Sequence, residues 1–336
     1  MKSMSVAFCA ASSEKSSMND NTHGWTIVCA RWFVVVCVLI VSLSIVAGPA
    51  AAQDGENIIY SSTVPSTQDV TSQIEPFCHE VGYNGTGTEA DPYQVGNLTQ
   101  LHCIREDTDA NYVQVSDINA LETVSWSGGH DFDGFVPISD SGTLPFEGEF
   151  DGQGYEIRNL YGGGLFGIVG TDGKVTDVTL IDADIVLPGL ARINKGVITN
   201  SYVTGSIRRQ GMKSTDAVGG LVGRNKGTVS NSFSSVFING TYRAGGLVGV
   251  NRGSITKSKA AGDVLGSGGG LVAVNYGSIT DSKAIGSVLS TFSEYSGGLV
   301  GTNYGSITGS NATGFVGGVR GGGLVGRNGI GDKGNV

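Results

Sequence analysis

Proline is scarce in this 336-residue chain, seven in all, and none follows Pro188. A proline breaks a strand ladder, so the stretch beyond Pro188 is open to continuous β-pairing. Acidic residues are equally thin there: Asp216, Asp263, Asp281 and Glu294 stand against 14 Lys and Arg between Leu187 and Ile330. Those four fall at different phases of the repeat described below. Stacking therefore does not gather them into the carboxylate or Ca²⁺ clusters of polysaccharide-cleaving β-helices. From Gln53 to Val186 the balance reverses, with 23 acids against 3 bases. An acidic head on a basic repeat region is dipolar, which suits head-to-tail self-association or anionic partners on the repeats; the alternative is that both charges serve solubility. Cysteines number only five, and Cys9, Cys29 and Cys37 lie within the first 52 residues.

Glycine is abundant, at 55 residues, against a usual share of roughly 7%. The glycines hold fixed places in a repeat. Gly219 opens GGLVGRNKGTVSNS, which returns as GGLVGVNRGSITKS, GGLVAVNYGSITDS, GGLVGTNYGSITGS and a partial GGLVGRN. Between the anchoring leucines Leu221, Leu247, Leu271, Leu299 and Leu324 the steps are 26, 24, 28 and 25 residues. A unit this short buries no core alone, so copies must stack and share one. In each full copy Asn falls four residues after the Leu, Gly six, a β-branched residue eight, Ser eleven and another β-branched residue seventeen, and the partial copy keeps the Asn. This density of Gly and β-branched residues excludes helical bundles. The period predicts a coil of three short strands with Leu on Leu and Ile on Ile inside. Asn-x-Gly is the expected corner, on the ground that both residue types tolerate left-handed backbone. The longest step places a bulge around Thr291 to Tyr295.

These lines resemble the GLUG-motif repeat proteins, whose signature is close to G-G-L-V-G-x-N-x-G-x-I-x-x-S. Upstream, Gly87-Thr88-Glu89-Ala90-Asp91-Pro92-Tyr93-Gln94-Val95 and Phe150-Asp151-Gly152-Gln153-Gly154-Tyr155-Glu156-Ile157 resemble the segment that precedes the coil in such proteins. The resemblance implies an all-β fold, a right-handed parallel β-helix with a small α+β N-terminal segment. It implies an exported or surface-attached, adhesin-like protein and brings no catalytic residue from the repeat. Ala273 in place of Gly and a degraded copy at Leu190 depart from the pattern.

The expected organisation is a signal peptide over 1–52, a flexible leader over 53–77, a capping segment over 78–162 and solenoid repeats over 163–336. Trp32 to Ala47 is almost wholly apolar, follows Arg31 and precedes a small-residue A-x-A ending at Ala52. That is the pattern of a secretory signal; an uncleaved membrane anchor is the alternative. Export leaves Cys78 and Cys103 as an even pair and suggests a disulfide, stabilising by about 3.5 kcal/mol in the chain-entropy model. A zinc site with His79 and His102 is the competing reading. Asn84, Asn97, Asn239 and Asn311 sit in N-x-[ST] sequons and are glycosylation candidates. Asn97-Leu-Thr-Gln100 has the form of a capping box, and Tyr112 to Ile118 alternates like a strand.

One ladder carries a binding hypothesis. Between the corner Asn and Gly stand Lys195, Lys226, Arg252, Tyr276 and Tyr304. Stacked coil on coil they would form an exposed stripe, with Tyr faces suited to sugar rings and Lys/Arg to acidic glycans; Arg224 and Arg327 would widen it. The bland alternative is that any soluble residue suits an exposed corner. The acidic run Asp131, Asp133, Asp140, Glu147, Glu149 and Asp151 could hold Ca²⁺ loosely, but no metal or cofactor is assigned. The glycine-rich stretches lack the strand–turn–helix context of a dinucleotide site. The sequence reading is thus a secreted or cell-surface, non-enzymatic binding protein. Its partners would be glycans or other cell-surface components, without nucleic acid, and with membrane contact only through the N-terminal segment. A structural spacer and a polysaccharide-degrading enzyme are the alternatives.

Overall fold

The structure, a computed structural model, describes residues 78–127, 133–140, 144–208, 217–290 and 295–329. The expected signal, leader and 291–294 part of the bulge lie outside these residues. Among them, no helix is long and apolar enough to cross a membrane.

The chain winds as a β-solenoid of about six turns. Each coil donates strands to three sheets of nine, seven and fifteen strands among the described residues. In the Leu247 coil the first strand is Val248–Asn251, the second Ser254–Thr256, and the third face holds Lys259–Ala260 and Val264–Gly269. Pairing with the next coil is parallel and in register: Val248 opposite Val272, Ile255 opposite Ile279, Lys259 opposite Lys283 and Val264 opposite Val288. Identical letters therefore occupy identical places one coil apart. Leu221, Leu247, Leu271 and Leu299 are fully buried on one side of the interior. Ile198, Val229, Ile255 and Ile279 line the second side, and Ile207, Ile238, Val264 and Val288 the third. No coil could close this core by itself, which is the physical reason for the repeat.

The corners differ from the sequence expectation. The Asn-x-Gly glycines do not adopt left-handed backbone; that conformation occurs instead ten residues after the Leu, at Asn200, Asn231, Lys257, Asp281 and Gly309. What requires glycine at Gly227, Gly253, Gly277 and Gly305 is closeness between coils. A Cβ on Gly277 would stand 2.0 Å from the carbonyl oxygen of Gly253, and Gly253 bears the same relation to Gly227. The Asn side chains point inward and form a hydrogen-bonded ladder. Asn194 donates to Asn225, Asn225 to Asn251, Asn251 to Asn275 and Asn275 to Asn303, each at 2.8 Å. Each amide from Asn225 to Asn303 also donates to the carbonyl of the Gly two residues on, at 3.1 to 3.3 Å. A buried amide is tolerable only when so satisfied. Serines eleven residues after the Leu serve the left-handed corner. The Ser258 hydroxyl accepts from the Ser232 N–H and donates to the Thr256 carbonyl, and Ser232 and Ser282 repeat the pattern.

Parallel pairing begins upstream of the glycine repeats. Tyr93–Val95 pairs with Tyr112–Gln114, that strand with Glu149–Asp151, and that with Lys174–Thr176. The Tyr112 to Ile118 alternation is two strands, Tyr112–Gln114 and Ile118–Asn119. The chain bends between them, where the Asp117 carboxylate accepts the Glu156 N–H at 2.9 Å. Large aromatics fill this part, with Tyr112, Trp126, Phe135, Phe146, Phe150 and Phe166 buried. The helix Leu98–Cys103 closes the N-terminal end of the described coil. Asn97 Oδ1 accepts the Gln100 N–H at 2.9 Å, while Gln100 Oε1 accepts from Gly96, one residue earlier than a capping box would have it. A disulfide joins Cys78 to Cys103, whose Cα atoms are 5.2 Å apart.

Candidate ligand-binding trough

The residues between the corner Asn and Gly are all exposed. Their side chains rise from successive coils, about 4.8 Å apart by strand spacing, which is also a good stacking distance for aromatic rings. Tyr276 and Tyr304 lie ring on ring with centroids 5.0 Å apart and planes 6° from parallel. The Arg252 guanidinium covers the other face of Tyr276, 4.8 Å from the ring centre. Three of the five expected stripe residues thus form one continuous stack. Lys195 and Lys226 stand exposed on the same corner but do not line the cavity beside it.

That cavity is a trough of about 440 Å³ along the flank of the solenoid. Its floor is the outer face of the seven-stranded sheet. Arg224, Val250, Val274, Thr302 and Arg327 occupy one register position there, each opposite the next. One wall is the Arg252, Tyr276 and Tyr304 stack. The other comes from the position four residues before the anchoring Leu, which holds Arg243, Tyr295 and Arg320. Tyr295 and Arg320 face each other across adjacent coils, and the guanidiniums of Arg320 and Arg327 each stand 5.2 Å from the Tyr295 ring centre. Gly268 and Ala273 also line the trough; having little or no side chain, they leave it depth. Five arginines and three tyrosines line it, and no carboxylate does among the described residues.

Sequence reasoning found Arg224, Arg252, Tyr276, Tyr304 and Arg327. It missed the wall of Arg243, Tyr295 and Arg320, whose signal was a basic or aromatic letter four before the Leu in three copies. In the Leu271 copy that place is taken by buried Ser267, so the ladder is broken in the sequence.

The other expected positions are dispersed. Asn84, Asn97, Asn239 and Asn311 are exposed, and Asn97 spends its side-chain oxygen on the helix cap. In the acidic run, Glu149 pairs with Lys174 at 3.7 Å, Asp140 with Arg192 at 3.6 Å, and Glu147 accepts the Asp172 N–H at 2.9 Å. No group of three His, Cys, Asp or Glu able to hold a metal occurs among the described residues; His130 and Asp131 lie outside them. His102 is buried edge-on against Trp126 and Phe135. Arg105 donates to its Nδ1 at 3.0 Å. Burial first, and then the Arg105 charge, pushes the imidazole down to about 3 from 6.5.

Comparison with known proteins fits this architecture. The GLUG motif matches residues 292–316. Over 171 residues, 46% of this chain, the sequence is 33% identical to Halomucin of Haloquadratum walsbyi (strain DSM 16790 / HBSQ001), of which it spans 2%. A provisionally assigned immunoglobulin A1 protease from Bacteroides ovatus shares the fold, with TM-score 0.55, 22% identity and coverage of 68% of this chain and 77% of that one. A structure described as IgA1 Protease matches with TM-score 0.51 and 20% identity, over 69% of this chain and 20% of its own. The expectation of a chain without enzymatic activity is corrected by these two: the fold occurs in proteins that carry a protease name. The physical reason is that a period reports what stacks, whereas a catalytic group need occur only once. At such identities the likeness is one of fold. The chain carries the GLUG motif at residues 292–316, within a parallel β-solenoid.

Proposed function

We propose that the solenoid is the binding part of an exported or cell-surface protein, and that it holds glycans against its Asn-x-Gly corner. The stack of Arg252, Tyr276 and Tyr304 carries the reading. Because the rings cover each other's faces and Arg252 covers the remaining face of Tyr276, what they present is a ridge of ring edges and phenol hydroxyls. A sugar packs along it at little conformational cost because the rings are already held by their neighbours. A stacked pair spanning two coils offers an area matched to consecutive sugars. Similarity over 46% of the chain to Halomucin and the export pattern of residues 32–52 support a location at or beyond the cell surface.

The test is a glycan array probed with the full chain and with Tyr276→Ala/Tyr304→Ala. The intact chain should bind a subset of glycans, and the double variant should lose them by about tenfold or more, near 1.4 kcal/mol. Silence of the intact chain, or unchanged binding by the variant, removes the proposal.

A further inference from the structure

We infer that the trough selects anionic glycans, taking carboxylate or sulfate groups on its arginines while the sugar rings pack along the exposed edges of Tyr276 and Tyr304. This rests on the glycan reading above and narrows it to one charge class. The observation behind it is the second wall. A corner stripe alone would bind neutral and acidic sugars alike, whereas the trough opposes the Tyr stack with Arg243 and Arg320 and floors its two ends with Arg224 and Arg327. The planar guanidinium fork matches the two oxygens of a carboxylate or sulfate.

Local packing also shapes these cations. Arg252 lies over Tyr276, and Arg320 and Arg327 over Tyr295, so the aromatic faces orient the guanidiniums before any ligand arrives. Arg224 and Arg327 are four coils apart in register, about 19 Å at ordinary strand spacing. A linear polymer lying along the solenoid axis would span that distance and meet charge at both ends. Nucleic acid is also a linear polyanion. With Arg252 over Tyr276 and the two tyrosine rings stacked on each other, the ring edges face the trough, which favours packing against sugars over intercalation between bases.

The experiment titrates the full chain with four probes: an oligogalacturonate, a sulfated dextran, unsulfated dextran and a single-stranded DNA oligomer. Wild type is compared with Arg243→Gln/Arg320→Gln, Arg243→Lys/Arg320→Lys, Tyr276→Ala/Tyr304→Ala and, on another face, Lys283→Gln. The inference expects one or both acidic glycans to bind at least tenfold tighter than unsulfated dextran. The Gln pair should lose about tenfold or more, the Lys pair less, and Lys283→Gln less than twofold, with far-UV circular dichroism unchanged. Preference between the oligogalacturonate and the sulfated dextran tells carboxylate from sulfate. Equal binding of unsulfated dextran, lost in the Tyr pair, would overturn the inference and leave the glycan reading intact. No binding of any glycan would overturn both. DNA binding as tight as the acidic glycans, with the same loss in the Gln pair, would also overturn the inference.

Discussion

Asn251 is the middle rung of the amide ladder, and replacing it by Ala tests the account of why these coils hold together. The side chain is fully buried. It accepts from Asn225 at 2.8 Å, donates to Asn275 at 2.8 Å, to Ser278 O at 3.2 Å and to Gly253 O at 3.3 Å, and accepts the Gly253 N–H at 3.3 Å. After truncation Asn225 retains the carbonyls of Gly227 and Ser254, and Asn275 Oδ1 retains the Gly277 N–H. Those losses are softened, while the Gly253 N–H loses its side-chain acceptor. A net bond contributes about 1 kcal/mol and an orphaned buried group costs about 1–3 kcal/mol, so the expected loss is about 2–4 kcal/mol. Asn251→Asp has the same shape but, when ionised, no donor; its oxygen would face Asn275 Oδ1, and a buried charge would be added. It should be worse than Ala at neutral pH and recover part of the loss when protonated. Urea unfolding measures the total, and amide exchange at Gly253 reports the local opening even where the array unfolds in stages. A loss below about 0.5 kcal/mol for Asn251→Ala, with Gly253 exchange unchanged, would refute the reasoning.

Glycine at the inter-coil contact gives a second prediction. Gly277→Ala places a methyl 2.0 Å from the Gly253 carbonyl oxygen and should cost about 1–3 kcal/mol or more by forcing coils apart. Gly82→Ala, where a Cβ meets nothing within 4 Å, should be near neutral; equal melting of the two variants contradicts this. His102 supplies a pH dependence. Its folded pKa is held at about 3 against 6.5 unfolded, so only the unfolded chain takes up its proton between those values. Its contribution is fully present above about pH 6.5 and is lost as pH falls toward 3, amounting to about 3–5 kcal/mol. The difference in thermal midpoint between wild type and His102→Asn should shrink over that window; parallel profiles would contradict it.

The period alone determined the stack, because a 24- to 28-residue unit has no way to bury its Leu, Ile and Val except under a copy of itself. Once coils lie in register, the five letters between Asn and Gly become one line along the surface, so the Arg252, Tyr276 and Tyr304 stack was legible before any coordinates. The corner mechanism was not legible. Asn-x-Gly reads as a left-handed turn in isolation, yet its glycine is demanded by the carbonyl oxygen of the matching glycine one coil earlier, 24 to 31 residues back in the chain, a contact that exists only after stacking. The left-handed residues are Asn200, Asn231, Asp281 and Gly309, types that tolerate that backbone, together with Lys257, which is not such a type. With three different letters and one exception, the position does not stand out in the sequence. The trough's second wall was hidden for a related reason: Arg243, Tyr295 and Arg320 are one ladder interrupted by Ser267. Only the fold brings that ladder opposite the Tyr stack, since two register positions nine residues apart in sequence become facing walls when the strand between them is the floor.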